Sequence, residues 1–94
     1  MLKHVVVWKM KEENKLSNME KIKEMLEALP AKIDKIKSLS VGFNENGGEY
    51  DIILITDFES KNDLMEYDEH PEHQKVRKFV RSVVESRIAV DYNY

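Results

Sequence analysis

Three histidines, His4, His70 and His73, and the tyrosine Tyr67 carry most of the chemistry within reach of this 94-residue chain. Two of the histidines fall in one short stretch, Tyr67-x-x-His70-Pro71-x-His73. Imidazole is the side chain that exchanges protons near neutrality without special help. A phenol hydroxyl can donate to a carbonyl or enolate oxygen as charge develops there. At about 100° per residue, His73 shares a helical arc with Val76, Val80 and Val83, at the start of that helix. Burial and the positive end of the helix dipole both disfavour the cation, and a neutral imidazole is what a general base near pH 7 requires. The pattern therefore assigns His73 as proton acceptor and Tyr67 as the group that anchors or polarises a ligand. The same residues also admit a structural reading, with His73 half-buried at a helix start and Tyr67 a core aromatic with a wet tip.

The remaining candidates are weaker. His70 and His73 are spaced i to i+3, but Pro71 breaks the helix between them, and a zinc site would lack its third and fourth ligands. No metal is expected, and His70 suits the capping position of a turn. His4 lies on a strand face with Val6 and Trp8, and alternation alone does not say whether that face meets helices or a partner. His4, Trp8 and His70 complete the candidate ligand-binding set. No Ser-His-Asp spacing, phosphate loop or dinucleotide fingerprint occurs, so no cofactor is expected, and Gly47-Gly48 reads as a turn. The acid pairs Glu12/Glu13 and Asp68/Glu69 read as loop or exposed helix-end residues.

The elements that must position these groups follow from periodicity. Lys3 to Met10 reads as a strand with Val5 and Val7 on one face and Val6 and Trp8 on the other, hence covered on both sides. Ser17 and Glu20 form a capping box for a helix whose Met19, Ile22, Met25, Leu26, Leu29 and Ile33 make one stripe about 120° wide. Pro30 stops that helix near Leu29. Ile36 to Phe43 and Tyr50 to Phe58 are strands joined by the turn Asn44 to Glu49, and Ile52 to Ile55 is again apolar on both faces. Ser60 and Asp63 cap a short helix bearing Leu64 and Tyr67; Pro71 opens another, with Val76, Phe79, Val80, Val83 and Val84 on one side. Arg87 to Tyr92 is a last strand.

The order is β-α-β-β-α-β, an α+β ferredoxin-like domain with a four-stranded antiparallel sheet spanning residues 1–94. In that topology the first and third strands are central, and they are the two that are apolar on both faces. Both helices lie on one face, so the other would show Val, Ile and Trp side chains to water unless a second copy covers it. A homodimer, pairing into a dimeric α+β barrel, is expected.

Composition narrows the rest. A chain of this size hides only about 60–65% of its unfolded surface. It has no cysteine, which suits a reducing cytoplasm, and its longest apolar runs are far short of the roughly 20 residues that span a bilayer. Charged residues make up 35% at a formal net charge of −3, without the basic excess a nucleic-acid partner calls for. The clusters Lys32/Lys35/Lys37 and Lys75/Arg77/Lys78/Arg81 read as solvated faces, since acids are interleaved with them.

The opening Lys3-His4-Val5-Val6-Val7-Trp8-Lys9, the hairpin Gly47-Gly48-Glu49-Tyr50-Asp51, Phe58-Glu59-Ser60, Tyr67 with His70-Pro71-Glu72-His73, and the closing Val90-Asp91-Tyr92 resemble the stress-responsive α/β-barrel (Dabb) family end to end. The resemblance implies a dimeric barrel of two ferredoxin-like subunits. Its members are known mostly by fold and by association with stress, which implies a stress-related stability or small-molecule-binding role toward an apolar or aromatic ligand. A few plant members are polyketide cyclases, and that resemblance gives the alternative, a cofactor-free acid-base enzyme using His73 and Tyr67. Cyclase members carry a further histidine on the third strand, where this chain has Ile52.

Overall fold

The computed structural model describes residues Met1–Tyr94 as β1 (Leu2–Met10), α1 (Lys15–Glu27), a 3-10 turn (Leu29–Ala31), β2 (Ser38–Phe43), β3 (Ile52–Phe58), α2 (Lys61–Glu69), α3 (Pro71–Val83) and β4 (Val84–Asn93). The sheet is antiparallel in the order β2-β3-β1-β4, with the doubly apolar β1 and β3 in the middle. The ferredoxin-like arrangement expected from periodicity is the one observed.

Register settles which residues meet the helices. Leu2 pairs with Phe58, His4 with Thr56, Val6 with Leu54 and Trp8 with Ile52. All but His4 are buried, so this set faces the helices, and Trp8 belongs to the covered face and not to the open one where it was expected. Met19, Ile22 and Leu26 of α1, Leu29, Ile33 and Ile36 after it, Leu64 and Tyr67 of α2, and Val76 and Val80 of α3 close over them as one core. The intervening pairs, Val5 with Ile55 and Val7 with Ile53, face the other way. On β4, Ile88 and Val90 extend that second face; they are 47% and 56% exposed, and no element of the chain covers them.

Two further local readings need correction, and one is borne out. First, α1 starts at Lys15, so Ser17 and Glu20 lie within the helix and cap nothing. Asn14, at φ 52°, makes the entry, and its carbonyl accepts from Asn18 N–H at 2.9 Å. The anchor is tertiary. Asp51 accepts from Met10 N–H at 2.7 Å and pairs with Lys15 Nζ at 3.0 Å, tying the end of β1 to the first turn of α1. As expected, Tyr67 and His73 sit on two helices, and the chain turns at His70 between them. Ser60 Oγ accepts from Asp63 N–H at 3.2 Å to start α2, and His70 Nδ1 accepts from Glu72 N–H at 3.1 Å to start α3. The second correction is that β4 begins at Val84, which periodicity places on the helix. The ladder to β1 takes it instead, with Val84 opposite Met10.

The β2–β3 connection behaves as its sequence demands. Gly47 adopts φ 73°, a left-handed conformation that costs glycine nothing, and the Asn44 and Asn46 side chains bond the loop backbone.

Candidate functional site

A cavity of about 200 Å³ lies between the sheet and α3, on the helix-covered side. His4, Val6 and Trp8 of β1, Leu54 of β3 and Arg87 of β4 line it from the sheet. Tyr67 and Asp68 of α2, and His73, Val76, Arg77, Val80 and Arg81 of α3, line it from above. It exists because β4 has no helix over it: its helix-side residues Arg87, Ala89 and Asp91 are all exposed. An engineered apolar cavity of about 150 Å³ holds benzene, so this one has room for a single ring or a short carbonyl compound.

Tyr67 is the centre of the site. It is 1% exposed, with the Phe58 ring at 5.1 Å, the His73 ring at 4.3 Å and the His4 ring at 6.5 Å, edge-on. Its hydroxyl is buried with no hydrogen-bond partner. Native folds leave few buried polar atoms unpaired, because each costs roughly 1–3 kcal/mol in desolvation. Burial drives its pKa far above the ordinary value of 10.0; Asp68 adds to the shift and Arg87 opposes it. The hydroxyl stays protonated, a donor and acceptor with nothing yet to bind.

His73 is held against it. Its Nδ1 lies 3.0 Å from the Asp68 backbone carbonyl, which can only accept, so Nδ1 carries the proton and Nε2 keeps its lone pair. Burial pushes its pKa below the ordinary 6.5, against the raising effect of the Asp68 carbonyl and carboxylate. The imidazole is neutral at pH 7. His4 is oriented from the sheet: its Nδ1 lies 2.5 Å from the Asp91 carboxylate, across the β1–β4 ladder. Such a carboxylate fixes a histidine's ring and tautomer.

The structure thus brings His73, Tyr67, His4 and Trp8 to one cavity. His70 stands apart: it does not line the cavity, and its ring caps α3. No group of three or more His, Asp or Glu side chains is arranged to hold a metal ion. Sequence reasoning missed the arginines. Arg77 and Arg81, read as part of a solvated face, line the cavity together with Arg87. The signal was present, since His73, Arg77 and Arg81 recur at i, i+4 and i+8 beside the Val76–Val80 stripe. Asp91 was visible only as part of the closing motif, with no role attached.

The family described as "Stress responsive A/B Barrel Domain" matches residues 2–94. A Bacteroides fragilis protein of ferredoxin-like fold, described as dimeric and of unknown function, is 40% identical, superposes with a TM-score of 0.93, and the match covers 99% of this chain and 95% of that one. A dimeric ferredoxin-like protein from Thermobifida fusca is 21% identical, with a TM-score of 0.89 over 99% of this chain and 90% of its own. A hydroxynitrile lyase from Passiflora edulis is 14% identical, with a TM-score of 0.86 over 97% and 90%. At their identities the latter two speak for the fold alone. Among curated proteins, none matches the chain in sequence.

Proposed function

The chain belongs to the stress-responsive α/β-barrel (Dabb) family, and from that membership we propose that it acts as a homodimer holding one small apolar or aromatic molecule in the cavity of each subunit. The observation that carries the pocket is the Tyr67 hydroxyl, buried and unpartnered beside a cavity whose apolar walls include Val6, Trp8, Val76 and Val80. A ligand oxygen there would satisfy it. Pairing rests on the open sheet face, whose Val5, Val7, Ile53, Ile55, Ile88 and Val90 form a contiguous apolar surface that a second copy would bury. The dimeric Bacteroides fragilis protein supports that pairing. We place the protein in the cytoplasm, which suits a fold that needs no disulfide.

Trp8 lines the cavity and is the chain's single tryptophan, so it reports occupancy directly. Acetophenone, a one-ring ketone, is expected to change its emission saturably in the wild type and at least tenfold more weakly in Tyr67→Phe. No saturable change in the wild type sinks the pocket reading.

A second reading, acid-base catalysis, is favoured by the tautomer of His73. A neutral imidazole with a free Nε2 lone pair stacks at 4.3 Å on a phenol that stays protonated, which is a base beside a donor. The check is hydrogen–deuterium exchange at the methylene of acetylacetone, followed by NMR. Catalysis predicts exchange above the buffer rate that His73→Gln removes; a wild-type rate equal to buffer eliminates it.

A further inference from the structure

The formal net charge of the whole chain is −3, yet the cavity is bordered by Arg77, Arg81 and Arg87 against one carboxylate, Asp68. Arg77 is the one that has a carboxylate partner, Asp68 at 3.9 Å. Arg81 and Arg87 take part in none of the chain's ion pairs, although most of its lysines are paired: Lys3, Lys9, Lys15, Lys23, Lys32, Lys35, Lys37 and Lys75 all have acidic partners within 4 Å. The two arginines come from different elements. Arg81 is on α3 one turn after Arg77, and Arg87 is on β4 opposite Trp8, on the cavity side of the sheet. A like-charge i, i+4 pair destabilises a bare helix, so Arg77 and Arg81 carry a small folding penalty that a bound anion would remove. Arg87 already acts on Tyr67 electrostatically, opposing the upward shift of its phenol.

These observations fix polarity as well as charge. The lining combines the Tyr67 phenol and the His73 imidazole with apolar Val6, Trp8 and Val80, and the unpaired guanidinium groups stand on exposed residues whereas Tyr67 is 1% exposed. Resting on the pocket reading above, we propose that the ligand is a small aromatic carboxylate: its ring lies over Trp8 and Val80, an oxygen substituent faces Tyr67, and its carboxylate is taken by Arg81 and Arg87. The guanidinium fork matches a planar carboxylate in bidentate geometry. A phosphate monoester offers the same oxyanion chemistry, and one arm of the test separates the two.

The experiment is titration of the full chain with benzoate, its uncharged isostere benzamide, and phenyl phosphate, read by Trp8 fluorescence. Benzoate should bind about tenfold or more tightly than benzamide, with an advantage that shrinks as salt rises. In Arg81→Gln/Arg87→Gln the two affinities should converge through loss of benzoate binding, while Lys78→Gln, which removes a charge from α3 away from the cavity lining, should leave them unchanged. Both arginines are exposed, so the double variant is expected to keep the wild-type melting curve. Equal binding of benzoate and benzamide by the wild type, or a preference that survives the double variant, overturns the anion assignment and leaves the pocket intact. Tighter binding of phenyl phosphate than benzoate overturns the carboxylate. Failure of every probe, acetophenone included, overturns this inference together with the pocket.

Discussion

On one face of the sheet His4, Val6 and Trp8 of β1 lie beneath Tyr67, His73 and Val80, whereas on the other Val5 and Val7 of the same strand lie beneath nothing in the chain. Alternation along a single strand builds both. The covered face mixes apolar walls with a histidine, a phenol and three arginines, and it encloses a cavity. The open face is apolar in its middle and closed at its ends by ionic groups, Lys3 with Asp57 at 3.4 Å at one end and Lys9 near Glu49 and Glu85 at 3.8 Å at the other. Polar groups in the middle of a face signal a ligand, because they are left for something to satisfy. Polar groups only at its rim signal a protein partner, because they fix register while the centre supplies the burial.

The contrast breaks most readily at the centre of the open face. Val7→Asp would set an unpaired carboxylate among Ile53, Ile88 and their partner-subunit equivalents, a change worth about 3 kcal/mol or more. The expected result is a monomer by light scattering with a sharply lower urea midpoint. A Val7→Asp protein that stays dimeric and as stable as the wild type would show that this face is not the interface.

The covered face is sharpened by two substitutions at one position. Tyr67→Ala removes a ring packed on Phe58 and His73 and should cost about 3–5 kcal/mol in urea unfolding. Tyr67→Phe removes only an oxygen that has no partner, and should lie within about 1 kcal/mol of wild type, in either direction. A hydroxyl that mattered to the fold would make Phe nearly as damaging as Ala. One that matters to a ligand leaves the fold alone and weakens binding.

Acid should also separate the faces. His73 has a folded pKa below its ordinary 6.5 because burial disfavours the cation, so below pH 6.5 the unfolded chain binds the proton more readily than the folded one. Its contribution is therefore intact above pH 6.5 and lost as pH falls from there through the depressed folded value. Asp57, at the rim of the open face, is held below its ordinary 3.8 by hydrogen bonds from Ser38 and the Tyr94 hydroxyl and by Lys3; its contribution is present above pH 3.8 and lost only in stronger acid. Urea midpoints against pH should fall in two stages, and His73→Gln should remove the earlier one. A single fall near pH 4 in both proteins would contradict the burial of His73.

Much of this was legible in the sequence. Strand order followed from Val5 to Trp8 and Ile52 to Ile55 being apolar on both faces, and the grouping of Tyr67 with His73 came from the Tyr67-x-x-His70-Pro71-x-His73 motif. What was not legible has a common cause, contacts between residues distant in sequence. The start of α1 depends on Asp51, 36 positions from the Lys15 it holds, while Ser17 offered a local cap that nothing uses. Val84 fits the helical stripe by phase and the strand by β-branching, and only the ladder to Met10 decides. Arg87 belongs to the cavity because of its register with Trp8, which no periodicity on the last strand reveals.

The smallest expected effect tests whether the covered face is organised from β4 as well as from the helices. Asp91 reaches His4 across the β1–β4 ladder, yet its side chain is 42% exposed, so the pair should contribute no more than about 0.2–1 kcal/mol. Asp91→Ala is therefore expected to leave the urea midpoint nearly unchanged. Its consequence should instead be positional. The carboxylate requires a proton on Nδ1 of His4, and without it the ring is free to rotate and change tautomer beside Tyr67, 6.5 Å away. The imidazole 15N shifts of His4 should then move from a single tautomer toward an average, while those of His73, tied to the Asp68 carbonyl, stay where they are. If both histidines move together, the two sides of the cavity form one hydrogen-bonded unit; if only His4 moves, the strand and the helix position their imidazoles separately.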